Sequence, residues 1–87
     1  MQESNKKKYK KELGLLIKEI RLSQKKSISL ISDEIGMTKS MWADLEKGIK
    51  DPQLSTLIRI SEALNMNTSK ILLDLEKRLG QNFSFID

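Results

Sequence analysis

Apolar residues recur along this chain with a helical period from Tyr9 to Leu79. Leu13, Leu16, Ile17 and Ile20 follow the i, i+3, i+4, i+7 spacing, with Tyr9 one turn earlier on the same stripe. This predicts an amphipathic helix over residues 8–25. Ile28, Ile31 and Ile35 mark a short second helix over 28–35. Met41, Trp42 and Leu45 give the apolar face of a third over 39–47. Leu54, Leu57, Ile58, Ile60 and Leu64 define a fourth over 54–64, and Ile71, Leu72, Leu75 and Leu79 a fifth over 68–79. Strand-like alternation is nearly absent, so the expected fold class is all-α, a compact bundle of five helices.

The residues between these stripes read as helix starts and stops. Ser27, Thr38 and Asn67 stand where an N-cap side chain accepts an orphan backbone N–H. Gly36, Gly48 and Gly80 stand where helices end. Residues 47–53 read as a loop held by Asp51-Pro52. No apolar stripe starts before Tyr9, so residues 1–8 are expected to be a flexible basic arm that the fold does not need. Residues 9–80 form the domain, and 81–87 a tail carrying Phe83 and Phe85.

Composition narrows the function. With 87 residues the expectation is one domain. There is no cysteine and no histidine, which excludes disulfides, Cys/His zinc sites and the commonest general acid-base side chain. No pair of carboxylates stands in a catalytic context, so a binding protein is expected, not an enzyme, with no metal and no cofactor. No apolar run approaches the length of about 20 residues that crosses a membrane, and a cytoplasmic protein is expected. Charge is uneven: residues 1–26 carry nine Lys/Arg against three Asp/Glu, and residues 27–67 four against six. A basic segment such as 1–26 suits nucleic acid or another anionic surface. The plainer reading of Lys6, Lys7 and Lys8 is a solvated terminus.

The second and third helices carry the motif. Two short helices joined by about three residues form a helix-turn-helix. Their close packing needs a small residue in the first, supplied by Ser32, and a positive φ in the turn, supplied by Gly36. Trp42 and Leu45, one turn apart, anchor the second to the core, and a buried Trp42 indole N–H needs an acceptor. The face bearing Lys39, Ser40, Ala43, Asp44 and Lys47 is left pointing outward.

These residues resemble the phage-repressor/Cro-type, or Xre, family of DNA-binding proteins, which are lambda-repressor-like in fold. The resemblance runs from about Leu13 to Leu72. It includes Leu13-Gly14, Ile17, Ile20-Arg21, Ser27, Ile31-Ser32, Ile35-Gly36, Thr38, Leu45-Glu46-Lys47-Gly48, Asp51-Pro52, Leu57, Ile60 and Ala63-Leu64. Three positions depart from the family pattern. Ile28 replaces a glutamine that helps hold a phosphate, Ser32 an alanine, and Trp42 a branched aliphatic.

The resemblance implies a sequence-specific regulator of transcription, a repressor or autoregulator, reading double-stranded DNA with the third helix in the major groove. Thr38, Lys39, Ser40, Met41, Ala43, Asp44, Lys47 and Lys50 become the candidate DNA contacts. Lys39 can donate to guanine O6/N7, Asp44 can accept from cytosine N4, and Met41 can touch a thymine methyl. Ser29, Ile49, Arg59, Lys6, Lys7 and Lys8 are candidate phosphate contacts, the loop Gly48-Ile49-Lys50 through its backbone N–H groups. Arg21 and Glu46 are implied to pair, tying the first helix to the third. The competing function is a protein-interaction module or antitoxin that keeps the fold with weak DNA affinity, favoured by Ile28 and the acidic middle segment. No membrane and no small-molecule effector is implied.

A surplus of apolar residues at the C-terminal end suggests a homodimer. Leu72, Leu75, Leu79, Phe83 and Phe85 are the expected contact. The alternative is that the tail folds back on its own chain.

Overall fold

The computed structural model describes residues 3–86; positions 1, 2 and 87, which belong to the expected arm and tail, lie outside the described residues. Five helices follow one another: α1 (Glu3–Ser23), α2 (Ile28–Ile35), α3 (Lys39–Glu46), α4 (Leu54–Ala63) and α5 (Thr68–Leu79). No β-strand occurs among the described residues. α1 packs against α3 and α5, α2 against α3 and α4, and α4 against α5. Each helix turns most of its apolar stripe inward, while Met41, Leu54 and Ile58 of the expected faces stay exposed. The core gathers Leu13, Leu16 and Ile17 from α1, Ile31 and Ile35 from α2, and Trp42 and Leu45 from α3. Leu57, Ile60 and Leu64 join from the α4 segment, and Ile71, Leu75 and Leu79 from α5. Each such side chain contributes about 1.5–3 kcal/mol by leaving water.

The helix-turn-helix forms where its punctuation falls. Ser27 Oγ accepts from Leu30 N at 3.0 Å, and Thr38 Oγ1 from Met41 N at 3.1 Å. Gly36 takes φ 77° and turns the chain between α2 and α3. Asn67 does not fulfil the side-chain cap expected of it. It starts α5 through its backbone carbonyl, which accepts from Lys70 N and Ile71 N.

Both ends of α1 differ from expectation. Residues 3–8, expected as a flexible arm, are the first turns of the helix. The reason lies at the far end of the chain. Asn5 Nδ2 donates to Ser84 O at 2.6 Å, and Lys8 Nζ donates to Leu79 O at 3.2 Å and stands 5.8 Å from the Phe83 ring centroid. The tail thus supplies the side contact that no local apolar stripe announces. At the other end α1 stops at Ser23, because Lys25 adopts φ 58° while Lys26 N bonds back to Arg21 O.

The tail folds within the chain. Phe83 packs against the core and meets Phe85 edge-on, with centroids 5.0 Å apart, and Phe85 meets Tyr9 edge-on at 5.3 Å. Two residues expected at a dimer contact are corrected by the same packing. Leu75 and Leu79 are 5% and 9% exposed, and belong to the core of the monomer. α5 must face α1 and α4, and that uses the stripe Ile71, Leu75 and Leu79. Leu72, at the edge of that stripe, stays exposed.

Candidate nucleic-acid interface

α3 is held from behind by three side chains. Trp42 is fully buried, Leu45 nearly so, and Glu46 lies between them and α1. Arg21 reaches from α1 to the Glu46 carboxylate in a two-pronged pair, Nε to Oε2 at 2.6 Å and Nη2 to Oε1 at 3.0 Å. The third guanidinium nitrogen, Nη1, donates to Lys26 O at 2.7 Å. Trp42 Nε1 donates to Glu46 Oε2, also at 2.6 Å. Every polar atom carried into this contact thereby finds a partner, which burial requires. The indole has its acceptor, and it comes from α3 itself.

Two glycines let the backbones meet. A Cβ on Gly14 would stand 2.5 Å from Leu45 O and 2.6 Å from Glu46 O, so α1 touches the last turn of α3 only because that Cβ is missing. Gly48 has φ 79°, and a Cβ there would stand 2.7 Å from Lys11 Cα. The loop after α3 therefore lies against the first half of α1. Tyr9 strengthens the contact, its hydroxyl donating to Asp51 Oδ1 at 2.6 Å. Burial, together with the bond to Asp51 and its charge, pushes the Tyr9 phenol well above its ordinary pKa.

With its back fixed, α3 presents its first turn to solvent. Lys39, Ser40 and Met41 are exposed, and Lys47 is exposed at the other end. Ala43 and Asp44 are half-buried between them. No hydrogen bond or ion pair engages the Lys39, Asp44 or Lys47 side chains among the described residues. Thr38 is exposed, with its oxygen occupied as the cap of α3. Ser29 is exposed on the first turn of α2, whereas the neighbouring Ile28 side chain turns inward against the core.

The loop after α3 is more committed than expected. Gly48 N donates to Leu45 O at 3.2 Å and Ile49 N to Asp44 O at 3.0 Å. Those two N–H groups close α3, so the expectation that they hold phosphate is corrected. Lys50 is exposed, and its N–H has no partner among the described residues. Arg59 is exposed and partly engaged within the fold. Its Nη2 donates to Ile35 O, placing a cation at the C-terminal end of α2, which has no basic residue of its own there. Lys8 is turned toward the tail, while Lys7 is exposed and Lys6 half-buried. Ser32 is buried at the α2–α3 crossing with its hydroxyl donated to Ser29 O at 3.1 Å, as a small residue must be there. Lys11, which the hydrophobic pattern left unassigned, is exposed beside Gly48. Its only signal in the sequence is the pair Gly14 and Gly48, whose contacts emerge in three dimensions.

The helix-turn-helix family model matches residues 17–71, from the middle of α1 to the first turn of α5. The chain belongs to the helix-turn-helix family. No curated protein matches it. Among solved structures, the clp gene regulator ClgR from Corynebacterium glutamicum superposes with a TM-score of 0.77 at 15% identity, over 82% of this chain and 76% of that one. The restriction-modification controller protein C.AhdI from Aeromonas hydrophila gives 0.67 at 18% identity, over 70% and 92%. An HTH_3 family transcriptional regulator from Vibrio cholerae gives 0.75 at 24% identity, over 94% of this chain and 46% of that one. These likenesses establish the fold beyond the residues of the family match. DNA-binding transcription regulation is the function class of this helix-turn-helix chain.

Proposed function

We propose that this protein binds specific double-stranded DNA sequences as a cytoplasmic, homodimeric repressor or autoregulator, with α3 in the major groove. The observation that carries the reading is the exposed first turn of α3, Lys39-Ser40-Met41, on a helix braced from behind by the Arg21–Glu46–Trp42 contact. A base-reading side chain needs a rigid mount, since an error of an ångström loses a bidentate bond. Lys39 donates to a guanine edge, Ser40 to a base or phosphate, and Met41 packs on a thymine methyl. Asp44, half-buried, accepts from a cytosine amino group. Lys47 and Lys50 take backbone phosphates, Lys50 through both its side chain and its N–H.

The fold-level likeness to a clp gene regulator and a restriction-modification controller supports a regulator. The role is one of binding, without catalysis. No helix among the described residues is long and apolar enough to cross a membrane. The dimer uses the apolar residues that the monomer leaves uncovered on α5, Leu72 and Leu73, and the half-buried Phe83 and Phe85, which line one cleft with Leu72. A two-fold pair would read two half-sites about one helical turn apart.

Fluorescence anisotropy with a random-sequence duplex at two salt concentrations tests the nucleic-acid part of this reading. Binding that weakens steeply as salt rises is expected, because neutralised phosphates release counterions. No binding at low salt would exclude it and leave the protein-interaction alternative.

A further inference from the structure

We propose that Lys7 and Lys11, on the exposed flank of α1, form with Lys50 one continuous phosphate-binding edge, making the first half of α1 a rigid backbone clamp beside the recognition helix. The inference rests on the DNA-binding reading above and extends it to a helix outside the helix-turn-helix motif.

Two contacts fix the placement. The missing Cβ of Gly48 brings that residue against Lys11 Cα and against Lys10 C, 2.7 and 3.2 Å from where the Cβ would be. The Tyr9 hydroxyl holds Asp51 at 2.6 Å. Residues 9–11 of α1 are thereby fastened to residues 48–51, the loop that carries Lys50. Lys7 and Lys11 are one turn apart, on the same side of the helix. Both are exposed, and neither side chain is engaged in a hydrogen bond or ion pair among the described residues. Lys8, one residue on, is spent on Leu79 O and the Phe83 ring.

No acid is ion-paired with Lys7 or Lys11 among the described residues: Glu12 faces α5, where its Oε2 lies 4.0 Å from Arg78 Nη1, Asp51 keeps its charge while accepting from Tyr9, and Glu3 lies one turn before Lys7. A strand of phosphates following the Lys50 loop would next meet Lys11 and then Lys7. Because α1 is already helical from Glu3 and tied to the tail through Asn5, these lysines need no ordering of backbone on binding. That distinguishes them from a flexible basic arm.

The test compares the intact protein with a Lys7→Gln, Lys11→Gln double variant and a Lys77→Gln control on exposed α5. Glutamine is nearly as good a helix former as lysine, and circular dichroism verifies that the helix is kept. Anisotropy titrations over a range of salt give the slope of log Kobs against log salt. Loss of two phosphate contacts should flatten that slope by about 1.8, alike for specific and random duplexes, while Lys77→Gln keeps the wild-type slope. A flattening of less than about half that amount overturns the proposal, and so does an equal flattening by Lys77→Gln, which would mean net charge alone. A wild type with no salt-dependent DNA binding defeats the underlying reading, a result distinct from either.

Discussion

Trp42 donates its indole N–H to Glu46, one turn further along the same helix, at 2.6 Å. The carboxylate that receives it also receives two nitrogens of Arg21 from α1. One buried acid thus fixes both the helix-to-helix contact and the rotamer of the largest core side chain. Loss of the acid would strand a buried guanidinium and a buried indole donor together.

Glu46→Ala is therefore expected to destabilise the fold by about 3–5 kcal/mol, the usual cost of removing one partner of a buried ion pair. That is a large share of the total for so small a domain. Glu46→Gln keeps an acceptor for Trp42 and should cost less. Urea unfolding of both variants checks this. A Glu46→Ala midpoint close to the wild type would mean that the pair does not brace α3.

Lys39→Ala should weaken binding to a specific site by about 1–3 kcal/mol and relax the preference at one base pair, with stability unchanged. Lys50→Ala should weaken all sequences alike and flatten the salt dependence. Competition assays with point-substituted duplexes separate the two patterns. If the two variants show each other's pattern, the base-reading and phosphate roles are exchanged.

Much of this was legible in the sequence, and the exceptions share a cause. The order of helices, the caps at Ser27 and Thr38 and the turn at Gly36 follow from local chemistry, so reading residue by residue succeeds there. Trp42 reads as core from its spacing to Leu45. The Arg21–Glu46 pair has no periodic signature and came from family resemblance. The start of α1 was hidden because its support is Ser84, Leu79 and Phe83, more than seventy residues away in the chain. Arg59 looks like any surface arginine until α4 is laid beside the end of α2. Leu75 and Leu79 look surplus in the sequence because the packing of α5 on α1 and α4 that buries them joins segments far apart in the chain.

A Leu75→Lys, Leu79→Lys double variant should accordingly unfold, since both side chains lie in the monomer core. Leu72→Lys with Leu73→Lys should instead remain folded and dissociate the proposed dimer. Sedimentation equilibrium combined with circular dichroism tells these apart. A wild type that stays monomeric at tens of micromolar, the range of weak association, would rule out the dimer.

Tyr9→Phe should cost about 1 kcal/mol near neutral pH by removing the bond to Asp51. The phenol is raised in the folded state, so its contribution is complete below the unfolded tyrosine pKa of about 10 and is lost as pH climbs above it. The stability gap between wild type and Tyr9→Phe should then narrow above about pH 10. A gap that stays constant through that range would show that the phenol titrates normally in the fold.

If α3 reads DNA sequence, the protein must prefer one duplex over others. The most direct measurement is selection of bound duplexes from a random pool, followed by anisotropy titration of the selected and a scrambled duplex at one fixed salt concentration. A single recurring sequence is expected, bound about a thousandfold or more tighter than the scramble, with Lys39→Ala losing much of that margin. A pool that yields no recurring sequence, or equal affinity for the selected and scrambled duplexes, would contradict sequence reading by α3.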